Sequence, residues 1–241
     1  MHEHVTLQGQ AGRLDAHLYL PKDSSPVPGV LLCHGFASNK VNYAPFARFL
    51  QAEGFAVLAY DCRGHGESDG ELDGEAWRDV VTALEYLQVR AEVDPERVGL
   101  VGSSMGAHNG LRAAAEQPSI RTAVCLNTAP SAVLKQGLLS ADFWRLMHHQ
   151  GGRVRVALPD HLLYLEQNDI LELPVRIAPR PLFFIHARDD ELVPFQVSVK
   201  LRAGASADSR LWLLDKGGHR GPRHDPDVQR AIVDWLRTRL D

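Results

Sequence analysis

The chain has 241 residues, 44% hydrophobic and 23% charged, with a formal net charge of −4. Those values suit one α/β domain with a large core and exclude the strongly basic surface that nucleic acid or an anionic membrane demands. No apolar run approaches the ~18 residues that span a bilayer. Met1-His2-Glu3-His4-Val5 lacks the basic and then apolar start of a secretory signal, so a cytoplasmic protein acting on small neutral or weakly charged molecules is expected.

The first elements alternate apolar and polar residues. Val5-Thr6-Leu7 and the stretch 14–20, with Gly9 and Gly12 between them, predict an antiparallel hairpin. Short continuous apolar runs then follow at 29–33, 55–60, 98–101, 123–126, 182–185 and 211–214, as expected of strands buried on both faces. Helical spacing separates them. Trp77, Val80, Val81, Leu84 and Leu87 form one stripe, and Gly106, Ala107, Gly110, Ala113 and Ala114 give a small-residue surface for close approach to strands. Asp225 before Pro226 predicts an N-cap for a last helix carrying Val228, Ile232, Trp235 and Leu236. Strands alternating with helices imply a mostly parallel sheet flanked by helices, with functional groups in the loops at the strand carboxyl ends.

Residues 131–178 break this rhythm. The segment is too long for an ordinary connection and too apolar for disorder, with Phe143, Trp144 and Met147 among its large side chains. It predicts a folded insertion capping a pocket above the sheet edge. The expected organisation is a single domain over 1–241 with 131–178 as the cap, and Phe143, Trp144 and Met147 as candidate substrate contacts.

The densest chemical signal is Gly102-Ser103-Ser104-Met105-Gly106, which joins the apolar run Val98-Gly99-Leu100-Val101 to the small-residue helix. A serine on a strained strand-to-helix turn needs small residues two positions before and two after it, which centres the pattern on Ser104 rather than Ser103. A hydroxyl attacks a carbonyl only with a base to take its proton. His219, in Gly217-Gly218-His219 beyond the last strand, suits that role, since imidazole changes charge near neutrality. An aspartate would orient the ring. Asp190 fits by its spacing to Val193-Pro194, with its neighbour Asp189 as the rival. Charge on the tetrahedral oxygen needs preset N–H donors, and the backbone of Met105 and of Phe36 are the candidates for this oxyanion hole.

Other reactive side chains carry weaker signals. His65 lies in a turn-rich loop, His108 shares the helix of Ser104 and is poorly aimed at it, and the adjacent His148 and His149 lack a carboxylate at helical spacing. Cys33, Cys62 and Cys125 show neither zinc nor disulfide spacing and are expected to be buried thiols. No metal and no cofactor is implied.

Taken with His34-Gly35-Phe36 and Asp61-Cys62-Arg63-Gly64-His65-Gly66-Glu67-Ser68, the elbow and the order serine, aspartate, histidine make this chain resemble the α/β-hydrolase superfamily over nearly its whole length. Within it the pattern is similar to bacterial carboxylesterases of the cinnamoyl and feruloyl esterase group. The resemblance implies hydrolysis of a small-molecule carboxylic ester through an acyl-enzyme on Ser104, and the sequence is equally compatible with a monomer or a homodimer. Acyl-thioesterase or serine aminopeptidase chemistry, or a non-catalytic hydrolase-like binding protein, are the alternatives. Cys33 before the loop histidine and Ala187 after the strand histidine depart from the usual pattern.

Overall fold

The structure is a computed structural model describing residues 2–22, 26–149 and 153–241, apart from the side chains of His148 and His149. The two N-terminal segments form β1 (Glu3–Gly9) and β2 (Gly12–Tyr19), paired antiparallel with Leu7 opposite Leu14. The apolar runs become β3 (Val27–Cys33), β4 (Ala56–Tyr60), β5 (Val93–Ser103), β6 (Ile120–Leu126), β7 (Leu182–Ala187) and β8 (Arg210–Leu214). Among the described residues the sheet has eight strands in the order β1-β2-β4-β3-β5-β6-β7-β8. β2 meets β4 antiparallel, and every pair from β4 to β8 is parallel.

Alternation along each buried strand sends neighbouring side chains to opposite faces. Leu31, Leu58, Leu100 and Phe184 pack on one side with α2 (Trp77–Gln88) and α3 (Met105–Glu116). Leu32, Val57, Val101 and Phe183 pack on the other with α1 (Ala44–Ala52) and α9 (Pro226–Leu240). Each such Leu or Val contributes roughly 1.5–3 kcal/mol when fully buried. Asp225 caps α9 as its sequence predicts, its side chain accepting from the Asp227 and Val228 N–H groups. Cys33, Cys62 and Cys125 are buried and free. Burial pushes the Cys33 thiol up to about 12, so it is inert near neutrality.

Two features position the site. The chain leaves β3 for β4 on one side, whereas β5 lies on the other, so the loops after β3 and β5 diverge at a switch point where α/β sheets open a crevice. Residues 131–178 form α4 (Ser131–Leu138), α5 (Ala141–His149), α6 (Leu158–Gln167) and α7 (Leu173–Ile177) between β6 and β7. α8 (Gln196–Ala203) lies between β7 and β8. No helix among the described residues is long and apolar enough to cross a membrane.

Candidate active site

Ser104 stands at the junction of β5 and α3 with φ 55° and ψ −116°, a strained conformation for a residue with a side chain. The flanking glycines are steric requirements. A Cβ on Gly102 would sit 2.6 Å from the Gly106 carbonyl oxygen, and one on Gly106 would collide with the carbonyls of Cys33 and His34. The Ser104 N–H donates to the Leu126 carbonyl at 2.9 Å, tying the turn to the end of β6.

The loop after β3 is held by its own histidine. His34 Nδ1 donates to the Gly35 carbonyl at 2.8 Å, and its Nε2 accepts from the Cys62 N–H at 2.9 Å. Burial lowers the His34 pKa and favours the neutral ring that this arrangement requires. Gly35 thereby comes close to Ser104: a Cβ added to it would lie 3.5 Å from the Ser104 Cβ.

On the far side, the Asp190 side chain is fully buried and His219 Nδ1 donates to it, at 2.8 Å from Oδ2 and 3.0 Å from Oδ1. Oδ1 also accepts from the Leu192 and Val193 N–H groups, each at 2.9 Å. Burial opposes the carboxylate charge, but the hydrogen bonds from His186 and His219 outweigh it and hold the Asp190 carboxyl well below the usual range. Asp189 takes a different place, with Oδ1 accepting from the Gly218 N–H at 2.8 Å on the surface. The structure therefore joins Asp190, and not Asp189, to the His219 ring.

Ser104, His219, Phe36, Phe143 and Met147 all line one cavity of about 380 Å³. Ser104 and His219 share it without a direct hydrogen bond, and such bonds commonly tighten only around a bound substrate. Trp144 does not line the cavity. Its Nε1 donates to the Leu138 carbonyl at 2.9 Å while the ring stacks edge-on against Phe36, so it backs the wall from behind. Met105 opens α3, where helix N–H groups have no partner in the preceding turn.

His65 is buried, its Nδ1 donating to the Arg63 carbonyl at 3.0 Å, and burial drives its pKa to about 3. His108 is likewise buried, with Nδ1 donating to the Ala129 carbonyl at 3.1 Å. The side chains of His148 and His149 lie outside the described residues. Among the described residues no group of His, Cys, Asp and Glu is arranged to hold a metal ion.

Two positioning residues escape a reading of the sequence. Asn127, at the end of β6, donates through Nδ2 to the carbonyls of Gly218 at 3.0 Å and His219 at 2.8 Å while its Oδ1 accepts from the Ala187 N–H at 3.1 Å. It fastens the histidine loop to β7. His186 on β7 places Nε2 3.0 Å from the Val193 carbonyl and 3.3 Å from Asp190 Oδ2, with Nδ1 2.7 Å from Ser198 Oγ. A polar residue ending an apolar strand was the available signal in both cases.

Sheet order, elbow and crevice together define an α/β hydrolase. The sequence model described as the alpha/beta hydrolase fold matches residues 28–147. The chain is 28% identical to the esterase YjfP of Escherichia coli K12 over 242 residues, covering 93% of this chain and 94% of that one. In structure it is similar to the α/β hydrolase GrgF of Penicillium sp. sh18, with a TM-score of 0.85 at 18% identity over 100% and 99% of the two chains. Est1E of Butyrivibrio proteoclasticus, solved with ferulic acid bound, superposes at a TM-score of 0.81 and 18% identity, over 98% of this chain and 99% of that one. This chain is thus an α/β hydrolase with esterases among its relatives.

Proposed function

We propose that this protein is a serine esterase that cleaves small-molecule carboxylic esters through an acyl-enzyme. The observation that carries the reading is the buried Asp190 carboxylate 2.8 Å from His219 Nδ1, in a ring that shares its cavity with the strained Ser104. With Nδ1–H committed to Asp190, the other ring nitrogen is the base. Ser104 Oγ attacks the ester carbonyl carbon as its proton passes to His219 Nε2, and the carbonyl electron pair moves onto oxygen. The N–H groups of Phe36 and Met105 receive that oxyanion. The carbon–alkoxy bond then breaks, and His219 returns its proton to the departing alcohol. Water attacks the acyl carbon, giving its proton to His219, and release of the carboxylic acid restores Ser104. Helices α4–α7 act as the cap, with Phe143 and Met147 as its contacts to the acyl group.

A panel of p-nitrophenyl esters, feruloyl esters, acyl-thioesters and aminoacyl amides tests the substrate class. Ester turnover that falls on the order of a thousandfold or more in Ser104→Ala supports the reading. Undiminished turnover in that variant contradicts it, and a preference for thioesters or amides would move the chain to those classes.

A further inference from the structure

The cavity over Ser104 is electrically lopsided. Val133, Leu134, Phe143 and Met147 supply apolar lining, whereas Arg220 and Arg223 supply two guanidinium groups, and among the described residues no acidic side chain lines it. Arg223 lies with its guanidinium carbon 4.1 Å from the Tyr43 ring centroid, and its Nη2 donates to His224 Nε2 at 2.9 Å. Its Nε–H is buried without a hydrogen-bond partner. Arg220, two residues before the short helical turn Pro222–His224 that carries Arg223, is exposed at the cavity.

Among the described residues neither arginine forms an ion pair. Arg63, Arg90, Arg97 and Arg237 elsewhere each meet a carboxylate within 3.4 Å or less. The acid nearest to hand is Glu191, but its Oε2 accepts from the His219 N–H at 3.0 Å and reaches neither guanidinium within ion-pair distance. Arg220 loses hydration there and is repelled by Arg223, and the Glu191 charge offsets this only in part, so that the Arg220 pKa is lowered. In a chain whose net charge is −4, such a pair is not explained by solubility.

We infer that the ester this enzyme takes carries a second, carboxylate group, which seats on Arg220 and Arg223 while the apolar portion lies against Phe143 and Met147. Guanidinium presents planar N–H donors matched to a carboxylate, and the apolar surroundings strengthen the attraction relative to open water. This inference rests on the esterase reading and specifies its substrate class.

Two matched pairs of esters test it by steady-state kinetics. p-Nitrophenyl hydrogen adipate against p-nitrophenyl hexanoate places the charge on the acyl side at equal chain length. 4-Acetoxybenzoate against phenyl acetate places it on the leaving group. In at least one pair the anionic ester should show a kcat/KM about tenfold or more above its neutral partner, carried mainly by KM. That ratio should drop by about tenfold in Arg220→Gln, an exposed position where folding is not at risk, and in Arg223→Gln. It should also shrink at about 1 M NaCl, where charge attraction over a few ångströms is screened. Anionic esters turned over no better than neutral ones in both pairs would overturn the inference, as would a preference that survives both substitutions. Neutral turnover without that preference sinks this inference alone, whereas no turnover of any ester removes the esterase reading and this inference with it.

Discussion

His186 Nε2 lies 3.3 Å from Asp190 Oδ2, the same oxygen that accepts from His219 Nδ1 at 2.8 Å. A second imidazole thus stands beside the acid, anchored in turn by Ser198 at 2.7 Å. Removing it by His186→Ala leaves the Ser198 hydroxyl and the Val193 carbonyl short of a partner, at about 1–3 kcal/mol for a buried group left unsatisfied. Urea unfolding should show that loss, and kcat should fall on the order of tenfold as Asp190 loosens. Unchanged kcat would mean that His186 serves only the fold.

Acid should expose the same arrangement. The Asp190 carboxyl is held below its ordinary value of 3.8. A depressed acid stabilises the folded state fully above its unfolded pKa and loses that contribution as pH falls through the folded one. Wild type should therefore be more stable than Asp190→Asn at pH 7, and the gap should narrow as pH drops below 3.8. A gap independent of pH would contradict the depressed pKa.

The elbow couples strain to activity. Ser104 at φ 55° occupies a conformation that costs about 1–3 kcal/mol for a residue with a Cβ. Ser104→Gly relieves it and should abolish turnover while leaving stability at or above the wild-type level in chemical denaturation. Gly106→Ala should do the opposite to the fold, destabilising it by about 3 kcal/mol or more, because its methyl group would meet backbone carbonyls that cannot step aside.

What a reader of the sequence can and cannot see follows from where each interaction lies. Strands such as β4 and β7 are legible because burial on both faces writes one continuous apolar run. Ser104 is legible because sterics confine the elbow to glycine at two nearby positions. β5 starts at Val93, earlier than its apolar run suggests, because Asp94-Pro95-Glu96-Arg97 interrupts that run: Val93 and Asp94 pair with Val27 and Pro28, and the register then shifts so that Val98 meets Gly29. Asn127 and His186 act on residues 92 and four positions away through single hydrogen bonds, which leave no periodic trace. The charge of Arg220 and Arg223 is likewise invisible in a net charge of −4, since only folding brings them to the wall of one cavity.

Lys40 supplies a prediction about the scaffold. Its ammonium is buried 2.7 Å from both Asp15 and Asp61, and the Lys40 N–H also donates to Asp61, joining β2, the loop after β3 and the loop after β4. Deleting the cation by Lys40→Met leaves the buried Asp61 carboxylate without a cation and Asp15 with only the His4 imidazole, 2.6 Å away, which costs about 3–5 kcal/mol. Denaturant midpoints should record it. A loss under about 1 kcal/mol would show that the carboxylates find water or protons instead.

The cap contacts should govern acyl preference. Phe143 lines the cavity and Trp144 only backs Phe36, so Phe143→Ala should lower kcat/KM for aromatic or medium-chain esters about tenfold relative to acetyl esters. Trp144→Ala should change that ratio less. Equal effects from the two substitutions would place specificity elsewhere.

The central claim is that Ser104 is the nucleophile. Treating the protein with a serine-directed fluorophosphonate and mapping the adduct by peptide mass spectrometry addresses it most directly. One adduct on Ser104, absent from Ser104→Ala and slowed by His219→Ala, is the predicted result. No adduct, or one carried by Ser103, would contradict the account.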